Sequence, residues 1–175
     1  PDQIRDFSPV LMLLSTLFLA LSACSSDSEN GQLTQYQEYK QSLQSLLAGN
    51  QIEAATEFEK LANKTLDPVI EQLCTLRLAD SLFMQGKFKE SAEVYREFLV
   101  QYPDSPDAPH AAYMRGMAFV RRMPEDSWLM PPSESREMGD VEVAYSSFVS
   151  LISRYQDSMY AMRARYQVIL IIERK

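Results

Sequence analysis

Residues 86–103 read GKFKESAEVYREFLVQYP, and the same pattern occurs 37 residues earlier in residues 49–61, GNQIEAATEFEKL. Each copy begins with a glycine and continues into a helical pattern. A small residue is followed by an aromatic residue four positions later and by an apolar residue three positions after that. The two sets are Ala54, Phe58 and Leu61, and Ser91, Tyr95 and Phe98. Small side chains let helices approach closely and the ring fills the space between them, so this spacing indicates repeated pairs of packed helices.

The chain carries apolar residues at the three- and four-residue spacing of amphipathic helices from residue 34 onwards. Seven helices are predicted, at residues 34–48, 52–63, 67–85, 87–102, 109–122, 141–155 and 159–174. Gly49, Gly86 and Pro103 lie at predicted helix ends. No pair of segments has a convincing strand pattern. The predicted fold class is therefore all-α, a tetratricopeptide-repeat helical solenoid of about 3.5 repeats.

The third repeat is altered by an insertion. Its first helix contains Gly116 at a close-packing position, and its second helix repeats the small-then-aromatic spacing with Ala144 and Phe148. The junctions that follow the second helices of repeats two and three are 53 residues apart. This distance exceeds the usual repeat period of about 34 to 37 residues. We therefore predict an insertion at residues 123–140, between the two helices of the third repeat.

The last predicted helix has an apolar face and no helix after it in the sequence. Repeat arrays end in a helix whose outer face is polar. We expect either that the repeat domain continues beyond residue 175 or that the last helix docks on another surface.

The N-terminal segment predicts a lipoprotein signal peptide. Residues 10–21 form an apolar run of signal-peptide length, shorter than the roughly 20 residues of a membrane span. Small residues then precede Cys24, whose thiol would receive lipid. We predict a signal peptide at residues 1–23, a flexible tether at residues 24–33 and the repeat domain at residues 34–175. An amphiphilic helix followed by an incidental cysteine is the alternative interpretation.

Composition and motifs argue against catalysis and against nucleic-acid binding. The chain has 24 acidic and 17 basic side chains and a net charge of −7, which disfavours nucleic acid as a partner. His110 is the sole histidine and lies at a helix start, where a capping or surface role is the simpler interpretation. Cys74 lies in a helical pattern and is predicted to be a buried small side chain. No phosphate loop, nucleophile elbow or metal-ligand motif is present, so we predict a binding protein without catalytic residues, metal or cofactor.

Candidate binding residues fall into two groups. First helices of a helical-pair solenoid line a groove that holds extended or helical peptides. This predicts five groove residues, namely Tyr36, Tyr39, Arg77, Arg115 and Phe119. The insertion adds Trp128 and Arg136, because aromatic and charged residues in an irregular loop are typical of contact surfaces. Packing against the solenoid is the alternative for these residues, and Arg115 has the further alternative of an ion pair with Asp126 or Asp140.

Several of these features together resemble a known family. Residues 112–116 read AYMRG, a long insertion follows, and residues 154–160 read RYQDSMY. With the N-terminal cysteine and the helical repeats, these segments resemble the BamD family of tetratricopeptide-repeat lipoproteins. The resemblance covers the whole predicted mature chain.

The resemblance implies a lipid-anchored scaffold that helps to fold and insert outer membrane β-barrel proteins from the periplasmic face of the outer membrane. The partners that it implies are the barrel-assembly subunit BamA, accessory lipoproteins and unfolded outer membrane protein precursors. In this context Ser25, in place of an aspartate, after the lipidated cysteine favours the outer membrane. Two other functions remain open: a periplasmic repeat lipoprotein that organises cell-envelope or cell-division enzymes, and a lipid-anchored hydrolase whose catalytic domain follows residue 175.

Overall fold

A computed structural model describes residues 31, 33–123 and 134–173 of the protein, with the side chains of residues 134–138 excepted. The described part consists of seven α-helices and contains no β-strand. The helices are α1 (residues 33–47), α2 (Gln51–Lys64), α3 (Pro68–Met84), α4 (Phe88–Gln101), α5 (Ala108–Arg122), α6 (Glu134–Arg154) and α7 (Met159–Glu173). The predicted all-α fold class is confirmed.

Consecutive helices pack side by side in pairs, and the pairs form a helical solenoid. From α2 onwards each helix packs against the next one in the chain, and α5 also packs against α7. The first helices of the repeats are α1, α3, α5 and α7, and the second helices are α2, α4 and α6. The described residues therefore contain three helix pairs and the first helix of a fourth repeat, as the sequence pattern predicts.

Glycine ends two of the first helices. Gly49 follows α1 with a φ of +88° and Gly86 follows α3 with a φ of +77°. After α3, the backbone N–H of Lys87 donates to the carbonyl of Leu82 at 3.0 Å, and the same six-to-one bond closes α1. This is the Schellman arrangement, in which a glycine adopts the left-handed conformation that side chains disfavour. The two repeats thus turn from first to second helix in the same way.

The repeated triplets of the second helices form the core. All nine of their residues are buried, namely Ala54, Phe58 and Leu61, Ser91, Tyr95 and Phe98, and Ala144, Phe148 and Leu151. The second repeat has a serine, Ser91, where the other two have alanine. Its buried hydroxyl donates to the carbonyl of Ala79 at 3.0 Å, so this polar group has a hydrogen-bond partner.

Gly116 is a point of close approach between α5 and α6. A Cβ atom at position 116 would lie 2.6 Å from Cε1 of Phe148, a distance that real Cβ contacts do not reach. The prediction that Gly116 is a close-packing residue is therefore confirmed. The absence of a side chain here lets the Phe148 ring pack directly on the α5 backbone.

The sixth helix begins earlier than predicted. It starts at Glu134, so residues 134–140, which we assigned to the insertion, are helical. Their sequence, ESREMGD, is rich in good helix formers, and one exposed glycine in a helix costs only about 1 kcal/mol. Asp140 also forms an ion pair with Arg122 at 3.3 Å, which holds α6 against the end of α5. The remainder of the predicted insertion, residues 124–133, lies outside the described residues.

Cys74 is fully buried in α3, as predicted. Burial raises the pKa of its thiol to about 12, because the thiolate would lose its hydration among apolar neighbours. Cys74 therefore behaves as a small apolar core residue.

The last helix combines a buried side with an exposed apolar side. Ala161, Ala164 and Ile171 are buried. Five large apolar residues of α7 are exposed, namely Met159, Met162, Tyr166, Ile169 and Ile172. Even so, among the residues that the structure describes, no helix has the length and apolar character of a membrane span.

Candidate functional site

A row of polar and aromatic side chains crosses the first helices. We call it the first-helix row, and it consists of Tyr36 and Tyr39 on α1, Arg77 and Asp80 on α3, His110 on α5 and Tyr160 on α7. Neighbouring members are joined by ring contacts, hydrogen bonds or electrostatic interactions. The row therefore links all four first helices across the repeats.

Asp80 is the centre of the row. Its carboxylate accepts hydrogen bonds from the Tyr95 hydroxyl at 2.5 Å and from Nη1 of Arg77 at 2.6 Å, and Nε2 of His110 lies 3.1 Å away. Burial of Asp80 raises the pKa of this carboxyl, but the hydrogen bonds with His110 and Tyr95 and the charge of Arg77 outweigh burial and hold the pKa below its usual value. Because its partners come from α3, α4 and α5, Asp80 ties the second repeat to the third.

Arg77 connects Asp80 with α1. Burial lowers the pKa of Arg77, but its interactions with Tyr39 and Asp80 more than compensate, so the pKa lies above the usual value. The guanidinium is thus held between an aromatic residue of the first repeat and a carboxylate of the second. The predicted role of Arg77 in binding stays a prediction.

The two tyrosines of α1 differ in exposure. Tyr36 is 46% exposed, stacks on Tyr39 at a centroid distance of 6.4 Å and has Nζ of Lys40 4.8 Å above its ring. Tyr39 is only 8% exposed and packs on Phe58 at 5.9 Å. The expectation that Tyr39 is exposed in the groove is therefore wrong. Its ring belongs to the core of the first repeat, because it faces α2 in the packed pair.

His110 and Tyr160 extend the row to the last helix. The His110 ring lies edge-on to Tyr95 at 6.4 Å and to Tyr160 at 5.4 Å. Tyr160 also contacts Tyr113 of α5 at 5.8 Å and lies under the guanidinium of Arg163 at 5.7 Å. This end of the row is an aromatic surface between α5 and α7.

The sequence interpretation missed Asp80, His110 and Tyr160 as members of the row. One signal for Asp80 was available, since it is an acidic residue inside the otherwise mostly apolar segment LRLADSLF. Buried acids require partners, so this position predicts an interaction, although not with which residue. The pairing itself joins residues 30 positions apart and depends on the stacking of repeats.

Arg115 and Phe119 do not belong to the first-helix row. Arg115 lines a cavity with Leu99 of α4 and Arg154 of α6, so it faces two second helices. Phe119 is a core residue that lies 5.8 Å from the Arg115 guanidinium and 5.6 Å from that of Arg122. The predicted groove position of both residues is therefore wrong. Their side of α5 turns towards the second helices when the pairs pack.

The alternative ion pair of Arg115 is also not formed among the described residues. Asp140 pairs with Arg122 instead, and Asp126 lies outside the described residues. Cys24 and Trp128 also lie outside them, and the side chain of Arg136 in α6 is not described.

The first-helix row combines several polar and aromatic groups. It offers phenol, guanidinium, carboxylate and imidazole groups for hydrogen bonds, and ring faces for stacking. In the described ranges, no group of three or more His, Cys, Asp or Glu side chains is placed to hold a metal ion.

Comparison with known proteins agrees with this architecture. Residues 32–174 match the YfiO family, described as outer membrane lipoprotein. The outer membrane protein assembly factor BamD of Xylella fastidiosa (strain Temecula1) is 24% identical over 176 aligned positions, which cover 93% of this chain and 58% of that protein. BamD of Neisseria meningitidis serogroup B is 23% identical over 178 positions, covering 93% and 64%.

The chain thus spans about three fifths of the length of these relatives. The family match extends over all seven helices and confirms the resemblance inferred from residues 112–116 and the repeats. This chain belongs to the YfiO family of outer membrane lipoproteins.

Proposed function

We propose that this protein is an assembly factor for outer membrane proteins that acts as a binding scaffold, without catalysis and without a cofactor. The observation that carries the proposal is the first-helix row, which runs across the first helices of four repeats. The family match and the assembly-factor relatives support the same role.

The first-helix row suits segments of unfolded β-barrel proteins. Such segments alternate apolar and polar residues and carry unpaired backbone N–H and C=O groups before they enter a sheet. Tyr36 and Tyr160 offer ring faces for the apolar residues. The guanidinium of Arg77, which Asp80 engages through Nη1, is partly exposed and offers further hydrogen-bond donors for backbone carbonyls. A surface of this kind binds extended peptides with little demand on their exact sequence.

Site-specific photo-crosslinking tests this proposal. We expect a benzoylphenylalanine at Tyr36 to crosslink to a urea-denatured outer membrane barrel protein, whereas one at Ile52, exposed on the second helix α2, does not. The same barrel protein already folded in detergent should not be captured, because its strands are paired.

Two outcomes of the crosslinking experiment would contradict the proposal. Equal capture at positions 36 and 52 would show that no particular face binds precursors. When the experiment is repeated in membranes, capture of cell-wall enzymes alone would favour the second candidate function, a periplasmic repeat lipoprotein that organises such enzymes.

The proposed scaffold acts at the periplasmic face of the outer membrane, anchored by lipid on Cys24 after removal of residues 1–23. We expect Cys24→Ala to leave an unlipidated precursor that no longer fractionates with the outer membrane. Cys74→Ala is the matched control, because Cys74 is buried in α3 and its thiol is not accessible to a lipid-transferring enzyme. Normal fractionation of Cys24→Ala would contradict the anchor.

The partners in this proposal are the barrel-assembly subunit BamA and accessory lipoproteins.

A further inference from the structure

A cavity lined by two arginines lies between α4, α5 and α6. Its volume is about 120 Å³. Residues that line it include Leu99, Arg115, Ser147, Ser150, Leu151 and Arg154. We call it the arginine cavity. It lies on the side of the second helices, separate from the first-helix row, and none of the residues that line it is acidic.

Arg115 enters this cavity without a polar partner. Its buried Nε has no hydrogen-bond acceptor among the described residues, and the ring of Phe119 is its nearest aromatic contact. Burial lowers the pKa of Arg115, and the attraction of Glu93 offsets this in part. Glu93 itself is hydrogen-bonded to Arg96 at 2.8 Å. A buried N–H donor usually has an acceptor, so the unpaired Nε–H of Arg115 points to a ligand that supplies one in the cavity.

Arg154 and Ser150 add donors at the cavity rim. The Arg154 guanidinium lies 5.6 Å from the ring of Tyr155 and is exposed. The Ser147 hydroxyl already donates to the carbonyl of Val143 at 2.6 Å, so Ser150 is the serine whose proton is available. The cavity therefore combines two guanidinium groups and one hydroxyl donor with the apolar side chains of Leu99 and Leu151.

We propose that the arginine cavity binds the carboxylate of an acidic side chain on an apolar segment of a partner protein. A guanidinium fork matches the two oxygens of a planar carboxylate, and the apolar walls suit the methylene groups behind it. The site goes beyond the proposed function and does not depend on it, because the arginine cavity and the first-helix row share no residue.

Side-chain NMR with short peptides tests the site on the whole protein. The probe is an N-acetylated, C-amidated peptide with one glutamate between leucines, and its control carries glutamine in place of glutamate. We expect the glutamate peptide to shift the Nε–H resonance of Arg115 in a saturable manner and the glutamine peptide to bind about ten-fold or more weakly, since charged hydrogen bonds exceed neutral ones.

Matched variants assign the binding to the cavity. We expect Arg115→Gln and Arg154→Gln each to weaken binding of the glutamate peptide about ten-fold. Arg163→Gln is the matched control, because Arg163 also lies over a tyrosine ring but belongs to α7 and does not line the cavity. This variant should leave the affinity for the glutamate peptide unchanged. Since Arg154 is exposed, its variant keeps the fold even where loss of Arg115 disturbs packing.

Three results would overturn the proposal. They are equal binding of the glutamine peptide, unchanged binding by Arg154→Gln, and the lack of any saturable shift. Displacement of the peptide by inorganic phosphate at concentrations where acetate has no effect would also overturn the carboxylate assignment and identify a phosphate site. None of these results bears on the crosslinking at Tyr36.

Discussion

Replacement of Asp80 by alanine is expected to lower the free energy of unfolding by about 3 kcal/mol. The Asp80 carboxylate is the shared acceptor of Arg77 and Tyr95, and its loss removes the acceptor of the hydrogen bond that the buried Tyr95 hydroxyl donates. Urea unfolding followed by circular dichroism measures the change. The control is Glu93→Ala on α4, which removes an ion pair with Arg96 on the surface and should change stability far less. Equal effects of the two variants would contradict the central role of Asp80.

The pH dependence of stability gives a second measurement on Asp80. Its pKa in the folded protein lies below the usual value, so the unfolded chain takes up this proton first as the pH falls. The contribution of Asp80 is therefore complete above the unfolded pKa of about 4 and is lost as the pH falls through the lower folded pKa. Consequently, we expect the stability difference between wild type and Asp80→Asn to shrink as the pH falls below about 4 and through the lower folded pKa of Asp80. A constant difference would contradict the lowered pKa.

Replacement of Phe148 by alanine is expected to cost about 3–5 kcal/mol of unfolding free energy. Its ring is fully buried against Tyr113, at a centroid distance of 5.8 Å, and against the backbone at Gly116. Tyr145→Ala is the matched control on the same helix, because Tyr145 is 40% exposed. The control should lose less than about 1 kcal/mol, and a comparable loss in both variants would contradict the packing described here.

The effect of Gly116→Ala should change sign with the residue at position 148. In the wild type the new Cβ would collide with the buried Phe148 ring, so we expect destabilisation by about 1–3 kcal/mol. With alanine at position 148 the collision is gone. Alanine at position 116 then has a higher helix propensity than glycine and should stabilise the protein by up to about 1 kcal/mol. A double-mutant cycle measures this coupling directly. The same sign in both backgrounds would contradict the close approach of α5 and α6.

Local signals in the sequence account for most of the helix boundaries. Six of the seven helices begin and end close to the predicted residues, since glycines such as Gly49 and Gly86 and the apolar periodicity act within a single turn or helix. The start of α6 was misplaced because residues 134–140 carry good helix formers without a clear apolar stripe. In that segment helix propensity was the informative signal, and periodicity was not.

The candidate site was predicted less well than the fold. Arg77 and Arg115 occupy similar places on first helices in the sequence, yet Arg77 joins the first-helix row and Arg115 enters the arginine cavity. Tyr36 and Tyr39 likewise lie three residues apart on one helix and differ in exposure. Side-chain spacing shows which residues share a helix face, but it does not show which neighbouring helix that face meets.

The amino-acid sequence alone therefore determined the helical repeats and the small and aromatic core triplets, because each depends on residues a few positions apart. The repeat pattern also placed Gly116 at a close-packing position. Only the tertiary structure decided that the Asp80 carboxylate of α3 lies within hydrogen-bond distance of Tyr95 on α4 and His110 on α5. It also decided that Arg115 and Arg154 line one cavity. These contacts depend on how successive helices stack. That arrangement is set by the packing of the whole array, which no single segment encodes.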